Sequence, residues 1–182
     1  MPTADIARIE DLEAKHRRVI ELMSEQGLDA LLIQQPENFA WFTAGGDNTG
    51  RGGPDITAAL FITPDARVIV GGNADIGQVF DTEILGLGFQ LKERPWFEPK
   101  NVLLSDLCRG RRVGSDTPLP RTQDLSAELA TLRFPLTPFE CDRMRKIGRH
   151  LAHAVEATAR NLQELQSEAE VAGEVSHRLL KH

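Results

Sequence analysis

The chain has no tyrosine, an absence for which the composition offers no physical reason. It has two cysteines, Cys108 and Cys141, far apart and without C-x-x-C spacing, which argues against a disulfide framework or a zinc ribbon. The simplest reading is a reduced, cytoplasmic protein. A basic excess is also missing: the net charge is −6, so the chain has no general electrostatic draw toward nucleic acid or an acidic membrane. No signal-like apolar segment follows Met1, and no run approaches the length needed to cross a bilayer. Internal repeats and low-complexity segments are absent. The glycine-rich stretch Gly46–Asp55 lacks the G-K-[ST] ending of a phosphate-cradling loop, and no G-x-S-x-G elbow occurs.

What is present is an ordinary apolar fraction on 182 residues, enough for one domain or one domain plus an appendage. The chain is organised around Gly27–Gly45. A helix predicted over about Asp5–Gln26 stops at Gly27, where a residue without Cβ takes the left-handed position. Ala30 to Ile33 form an unbroken apolar run, as in a strand buried on both faces. Pro36 suits the first turn of a new helix, whose Phe39, Trp41 and Phe42 demand burial before Gly45 and Gly46 end it. In the first helix Ile9, Leu12, His16, Val19, Ile20 and Met23 form the apolar stripe, with His16 a core-edge histidine. Glu10, Asp11, Glu13, Lys15, Arg17 and Arg18 make the charged face.

Further along, Ile56–Thr63 and Arg67–Gly71 predict a hairpin closed by Pro64-Asp65-Ala66, with Ala58, Leu60 and Ile62 facing one way and Ala59 and Phe61 the other. Asn73 is expected to cap a helix to about Phe80. A strand is expected over Phe89–Glu93, a helix over Asn101–Cys108, and a strand over Val113–Asp116. A helix is expected over Thr122–Leu132 and a last edge strand over Phe134–Leu136. The basic run Arg109–Arg112 is too short for a nucleic-acid surface and reads as a turn. Thr137, Pro138 and Glu140 open a long helix to about Asn161 with a capping box, its buried side marked by Phe139, Met144, Ile147, Leu151, Ala154, Val155, Thr158 and Leu162. Ser167 and Glu170 open a final helix in the same way, with Val171, Val175 and Leu179 inward.

Candidate chemistry is sparse. His150 and His153 share a helical face with Glu156, but a metal needs three or four convergent ligands and nothing else points there. Neither cysteine has an evident base nearby. The basic and acidic residues around Arg143 read as a solvated helix face. The loop after Gly45 is either a flexible connector or a rim that reaches a substrate site. Pro95-Trp96-Phe97-Glu98-Pro99 is either local packing or a partner contact.

Gly27-Leu28-Asp29-Ala30-Leu31-Leu32-Ile33, followed by Pro36-Glu37-Asn38-Phe39-Ala40-Trp41-Phe42-Thr43-Ala44-Gly45, resembles the opening of the creatinase/prolidase/aminopeptidase P family of pita-bread peptidases. Ala44 stands between a Thr and a Gly that normally adjoin, and Trp41-Phe42 stands where Tyr-Leu is usual. Leu136–Gly148 resembles the entry to that family's catalytic domain, and Gln166–Ala172 its second helix. The resemblance covers essentially the whole chain in order.

It implies an α/β fold, a three-layer domain with a mixed, largely central sheet flanked by helices, over residues 1–136. Residues 137–182 would be the first two helices of a pita-bread catalytic domain. It further implies a noncatalytic N-terminal domain of an Xaa-Pro aminopeptidase- or dipeptidase-like metallohydrolase. Such a domain partners its own C-terminal catalytic domain, forms a homodimer and contributes to the rim of the active site. The family's two Asp, one His and two Glu metal ligands, and the Mn, Zn or Co they hold, are expected beyond His182, in a protein about twice as long. Xaa-Pro peptides are the implied substrate of the parent. Loop position and chemistry single out Asp47, Asn48, Arg51 and Trp96 as rim candidates. Two alternatives stand beside this reading: a regulatory or interaction module from a branch without peptidase activity, and an independent small-molecule-binding domain with a pocket at the carboxyl ends of its strands. No nucleic-acid or membrane partner is expected.

Overall fold

The computed structural model describes residues 5–49 and 56–181. It divides into two compact units, Met1–Pro135 and Leu136–His182. Among the described residues of the first unit run α1 (Ile6–Glu25), β1 (Ala30–Ile33), α2 (Pro36–Phe42), β2 (Ala58–Ile62), β3 (Arg67–Gly72), α3 (Ile76–Glu83), β4 (Gln90–Arg94), α4 (Lys100–Cys108), β5 (Val113–Ser115), β6 (Thr122–Asp124) and α5 (Ser126–Arg133). The strands form one mixed sheet in the order β4-β3-β2-β1-β5-β6. Strand β2 runs antiparallel to its neighbours β1 and β3, while the β3–β4, β1–β5 and β5–β6 pairs are parallel. The carboxyl ends of β1, β3, β4, β5 and β6 therefore share one edge.

Alternation along the strands divides the core into two layers. Leu31, Ile33, Leu60, Ile62 and Ile69 face one side and pack with Leu12, Val19 and Met23 of α1, Phe39 and Phe42 of α2, Ile76 of α3 and Leu129 of α5. Ala30, Leu32, Ala59, Phe61, Val70 and Val113 face the other, where α4 supplies Leu103 and Leu107. Four helices cover the first face. On the second, α4 carries the chain from edge strand β4 to β5, on the far side of β1. The fold is thus the three-layer α/β arrangement that the sequence implied.

Local chemistry sets the element ends. Gly27 takes φ +65° after α1, and the Leu28 amide donates to Met23 O at 2.8 Å, closing a Schellman motif. Helix α2 ends in the same way, with the Gly45 amide donating to Ala40 O at 2.7 Å. There the left-handed position is taken by Ala44, at φ +56°. The residue that interrupts the Thr-Gly pair is thus the one under backbone strain. Gly114 has a steric reason to be glycine: a Cβ there would lie 2.4 Å from Leu125 Cδ1 and 2.9 Å from Leu28 Cδ1.

The structure corrects five local readings. Asp11 and Lys15 belong to the core rather than the charged face, joined at 2.7 Å with both side chains almost fully buried. The Trp41 ring lies 5.7 Å from Lys15 Nζ and 5.6 Å from the Arg18 guanidinium carbon, so α1 turns cations onto the indole. Asn73 does not cap α3; its Oδ1 accepts from the Trp96 amide at 2.9 Å. Thr122–Asp124 form a strand, not the first turn of a helix, because β5 leaves its edge open and a short polar strand can fill it. Phe134–Leu136 are not a strand, since Phe134 is the C-cap of α5. The fifth correction concerns the second unit.

That unit holds α6 (Pro138–Arg160) and α7 (Glu168–Leu180), each opened by a complete capping box, Thr137/Glu140 and Ser167/Glu170. The two helices meet where Arg178 Nε donates to Thr158 Oγ1 at 3.1 Å. Of the residues expected on the buried side of α6, only Ala154 and Thr158 are buried. Met144 and Ile147 are both 61% exposed, and Leu151 and Val155 are about half exposed, because this stripe is wider than the face of α6 that α7 covers. Helix α7 has no buried residue among those described.

Candidate functional site

The carboxyl edge of the sheet opens into a crevice of about 180 Å³. It lies where the connections from the strands diverge, with the chain passing from β1 to β2 on one side and returning to β5 on the other, the usual place for a ligand in an open α/β sheet. Ala59, Val70 and Leu103 give it an apolar floor, and Trp96, Asp75, Arg94 and Glu98 stand among its walls.

The wall is electrostatically committed. Arg94 Nη1 donates to Glu98 Oε2 at 3.1 Å, and Nη2 donates to Asp106. The Glu98 hydrogen bond, with Asp106 adding to it, holds the Arg94 guanidinium above its ordinary pKa, so it stays protonated and internally neutralised. Asp75 and Glu98 against the single Arg94 leave the lining of the crevice with an acidic balance. Trp96 is 72% exposed, and its ring meets Phe97 edge-on at 6.0 Å. It is held by its backbone amide on Asn73 and presents an aromatic surface at the mouth.

Behind the crevice, Asp116 sits at the end of β5, almost fully buried. Its carboxylate accepts from the Gln34 amide at 2.8 Å, the Gln35 amide at 2.9 Å and Asn38 Nδ2 at 2.9 Å. These bonds tie β5 to the entry of α2. Burial raises the Asp116 carboxyl above the usual carboxylate range, and the bonds from Asn38, Gln34, Gln35 and Thr117 pull it back in part.

The rim candidates are placed differently from one another. Trp96 lines the crevice. Asn48 is fully buried, and its Nδ2 donates to Gln34 O at 2.9 Å and Ala58 O at 3.0 Å, clamping the end of β1 to the start of β2. It shapes the crevice wall from behind rather than facing a ligand. Asp47 is exposed, but its carboxylate is turned back onto the Thr49 amide and hydroxyl at 2.8 Å each. Arg51 lies outside the described residues. Sequence reasoning did not single out Asp116, Gln34 or the Arg94–Glu98–Asp106 cluster. A charged residue closing a short apolar strand was the available signal for Asp116. The four-residue spacing of Arg94 and Glu98 was the available signal for the cluster, whereas Gln34 is revealed by nothing local, because its partner Asp116 comes from a distant segment.

The described residues of the crevice offer an aromatic face, carboxylates and an apolar floor, groups that suit recognition of a ligand. Among the described residues, no three His, Cys, Asp or Glu side chains converge to hold a metal. No helix among the described residues is long and apolar enough to cross a membrane.

No protein-family model and no curated protein matches the chain. Solved structures do. An Xaa-Pro dipeptidase from Bacillus anthracis superposes with a TM-score of 0.65 at 14% identity, over 93% of this chain and 49% of its own. The prolidase from Pyrococcus horikoshii OT3 gives 0.67 at 16%, over 92% and 48%. An X-Pro aminopeptidase from Thermotoga maritima MSB8 gives 0.69 at 14%, over 91% and 49%. The chain therefore has an α/β fold of the kind carried by Xaa-Pro peptidases, and the resemblance read from its motifs holds at the level of the fold. It spans about half the length of these enzymes.

Proposed function

We propose that this chain is the noncatalytic N-terminal part of an Xaa-Pro aminopeptidase- or dipeptidase-like metallohydrolase. It supplies a dimerisation surface and a rim for an active site whose metal ligands lie on another part of the parent protein. The observation that carries this reading is the match over about nine-tenths of the chain to half of each of three such enzymes. The acidic, aromatic crevice with Trp96 at its mouth supports a rim role, since it offers contacts for a peptide without offering chemistry. The uncovered stripe Met144, Ile147, Leu151 and Val155 supports reading α6 and α7 as the first helices of a catalytic domain whose sheet would cover them.

Two measurements test the reading. The purified chain, assayed with Mn²⁺, Zn²⁺ or Co²⁺ and an Xaa-Pro dipeptide, is expected to show no metal-dependent hydrolysis; turnover would overturn the noncatalytic assignment. The reading frame beyond His182 is expected to encode two Asp, one His and two Glu ligands. Their absence from a full-length parent would leave the regulatory module as the better description.

A further inference from the structure

The opposite edge of the sheet carries a second concavity, of about 430 Å³, at the amino ends of β5 and β6. Its wall is built from two separate segments: the end of α4 with the turn that follows, and the Pro120-Arg121 step into β6. Arg109, Arg111 and Arg121 line it together with Ser105 and Cys108, and no carboxylate does. Three guanidinium groups around one hollow are conspicuous in a chain of net charge −6.

Helix capping accounts for only part of this. Arg111 Nη1 donates to Leu107 O at 2.9 Å, and the guanidinium rests over the Phe61 ring at 5.9 Å. That contact serves the α4 C-terminus and also fixes the plane of the group, leaving its other donors free to bind. Arg109 pairs with Asp106 at 2.7 Å, a carboxylate it shares with Arg94, and its side chain remains 79% exposed. Arg121 is not on the helix. Its backbone takes φ +68°, and it makes no ion pair or hydrogen bond with a described residue.

We propose that this pocket binds the phosphate groups of a small phosphorylated ligand. Guanidinium groups arriving from two segments suit an anion whose oxygens point in several directions, whereas a planar carboxylate is satisfied by a single fork. The hollow is too small for a nucleic-acid helix, and no aromatic side chain lines it as a stacking platform. The Ser105 hydroxyl adds a neutral donor.

Inorganic pyrophosphate is the probe, with citrate as an anion of comparable charge but without phosphate geometry. Calorimetry on the whole chain is expected to show saturable pyrophosphate binding. R111Q and R121Q should each weaken it roughly tenfold, as for loss of one charge-assisted hydrogen bond. R160Q, which removes an exposed arginine of α6, should leave it unchanged, and citrate should bind at least about tenfold more weakly than pyrophosphate. A second measurement on the unmodified protein localises the site: pyrophosphate should slow alkylation of Cys108 and leave Cys141 unaffected. The proposal is overturned by an absence of saturable binding, by equal binding of citrate, by equal losses in R160Q and R121Q, or by protection of neither cysteine.

Discussion

The two units were built by opposite means. In the first, α2, α3 and α4 begin without a side-chain capping bond, yet all of them are fixed by burial against the sheet. In the second, α6 and α7 both carry full capping boxes, yet they bury only Ala154 and Thr158 between them. A capping box is worth about 1 kcal/mol and acts within one turn. A packed core side chain is worth several times that and acts across the fold. The lesson is that local signals can specify a helix completely while leaving its apolar face without an assigned neighbour.

The sharpest way to break this comparison is to truncate matched side chains. Phe42→Ala should cost about 3–5 kcal/mol in urea unfolding, because it empties a site ringed by His16, Trp41 and Phe89. Leu151→Ala in α6 should cost under about 0.5 kcal/mol in a dilute monomer. A large, concentration-dependent loss at Leu151 would show that the stripe is covered by a second copy. The buried Asp11–Lys15 pair extends the test. Lys15→Met alone should cost about 3–5 kcal/mol by leaving a buried carboxylate uncompensated, and adding Asp11→Leu should recover much of it.

Asn48 distinguishes a structural clamp from a surface contact. Asn48→Ala should cost about 1–3 kcal/mol, because it leaves the Gln34 and Ala58 carbonyls without their donor. A change in substrate recognition by the parent enzyme with stability untouched would instead make Asn48 a rim contact. Ala44→Gly should stabilise the first unit by about 0.5–1 kcal/mol in thermal unfolding, since glycine accepts the left-handed conformation without a Cβ penalty. An unchanged or lowered stability would mean that the Ala44 methyl makes a compensating contact.

The smallest expected effect is one of pH. The folded-state pKa of Asp116 is raised, so the native state binds its proton more tightly than the unfolded chain does. Its proton-linked contribution is then fully present below about pH 4, the unfolded value, and is lost as pH rises through the raised folded value. Measured from pH 3 to neutrality, the stability of the natural chain relative to Asp116→Asn should fall as pH rises. A relative stability that instead rises with pH would show that the hydrogen bonds from Gln34, Gln35 and Asn38 outweigh burial.

Much of the fold was legible because its signals are local. Pro36 at the head of α2, the apolar run Ala30–Ile33, the period of two in Ala58–Ile62 and the Thr137/Glu140 box each act within a few residues. The errors fell where a distant partner decides. Thr122–Asp124 have a weak helical pattern that an open strand edge overrides. Asp11 and Lys15 carry charges that read as solvated until Trp41 of the next helix closes over Lys15. The candidate site was less legible: the rim loop was located by its composition, but Asp116 finds its partners Gln34, Gln35 and Asn38 on a segment that sequence order keeps apart from it.

The sequence by itself determined the order of elements as far as β5, the buried strand at the centre and both caps of the second unit, because hydrophobic periodicity and backbone capping are properties of neighbouring residues. Only the tertiary structure decided that Asn48 clamps two strands, that Trp96 stands at the mouth of the crevice, and that three arginines surround a hollow at the other edge. Those facts depend on which strand ends the sheet brings side by side, and no short stretch of chain contains that information.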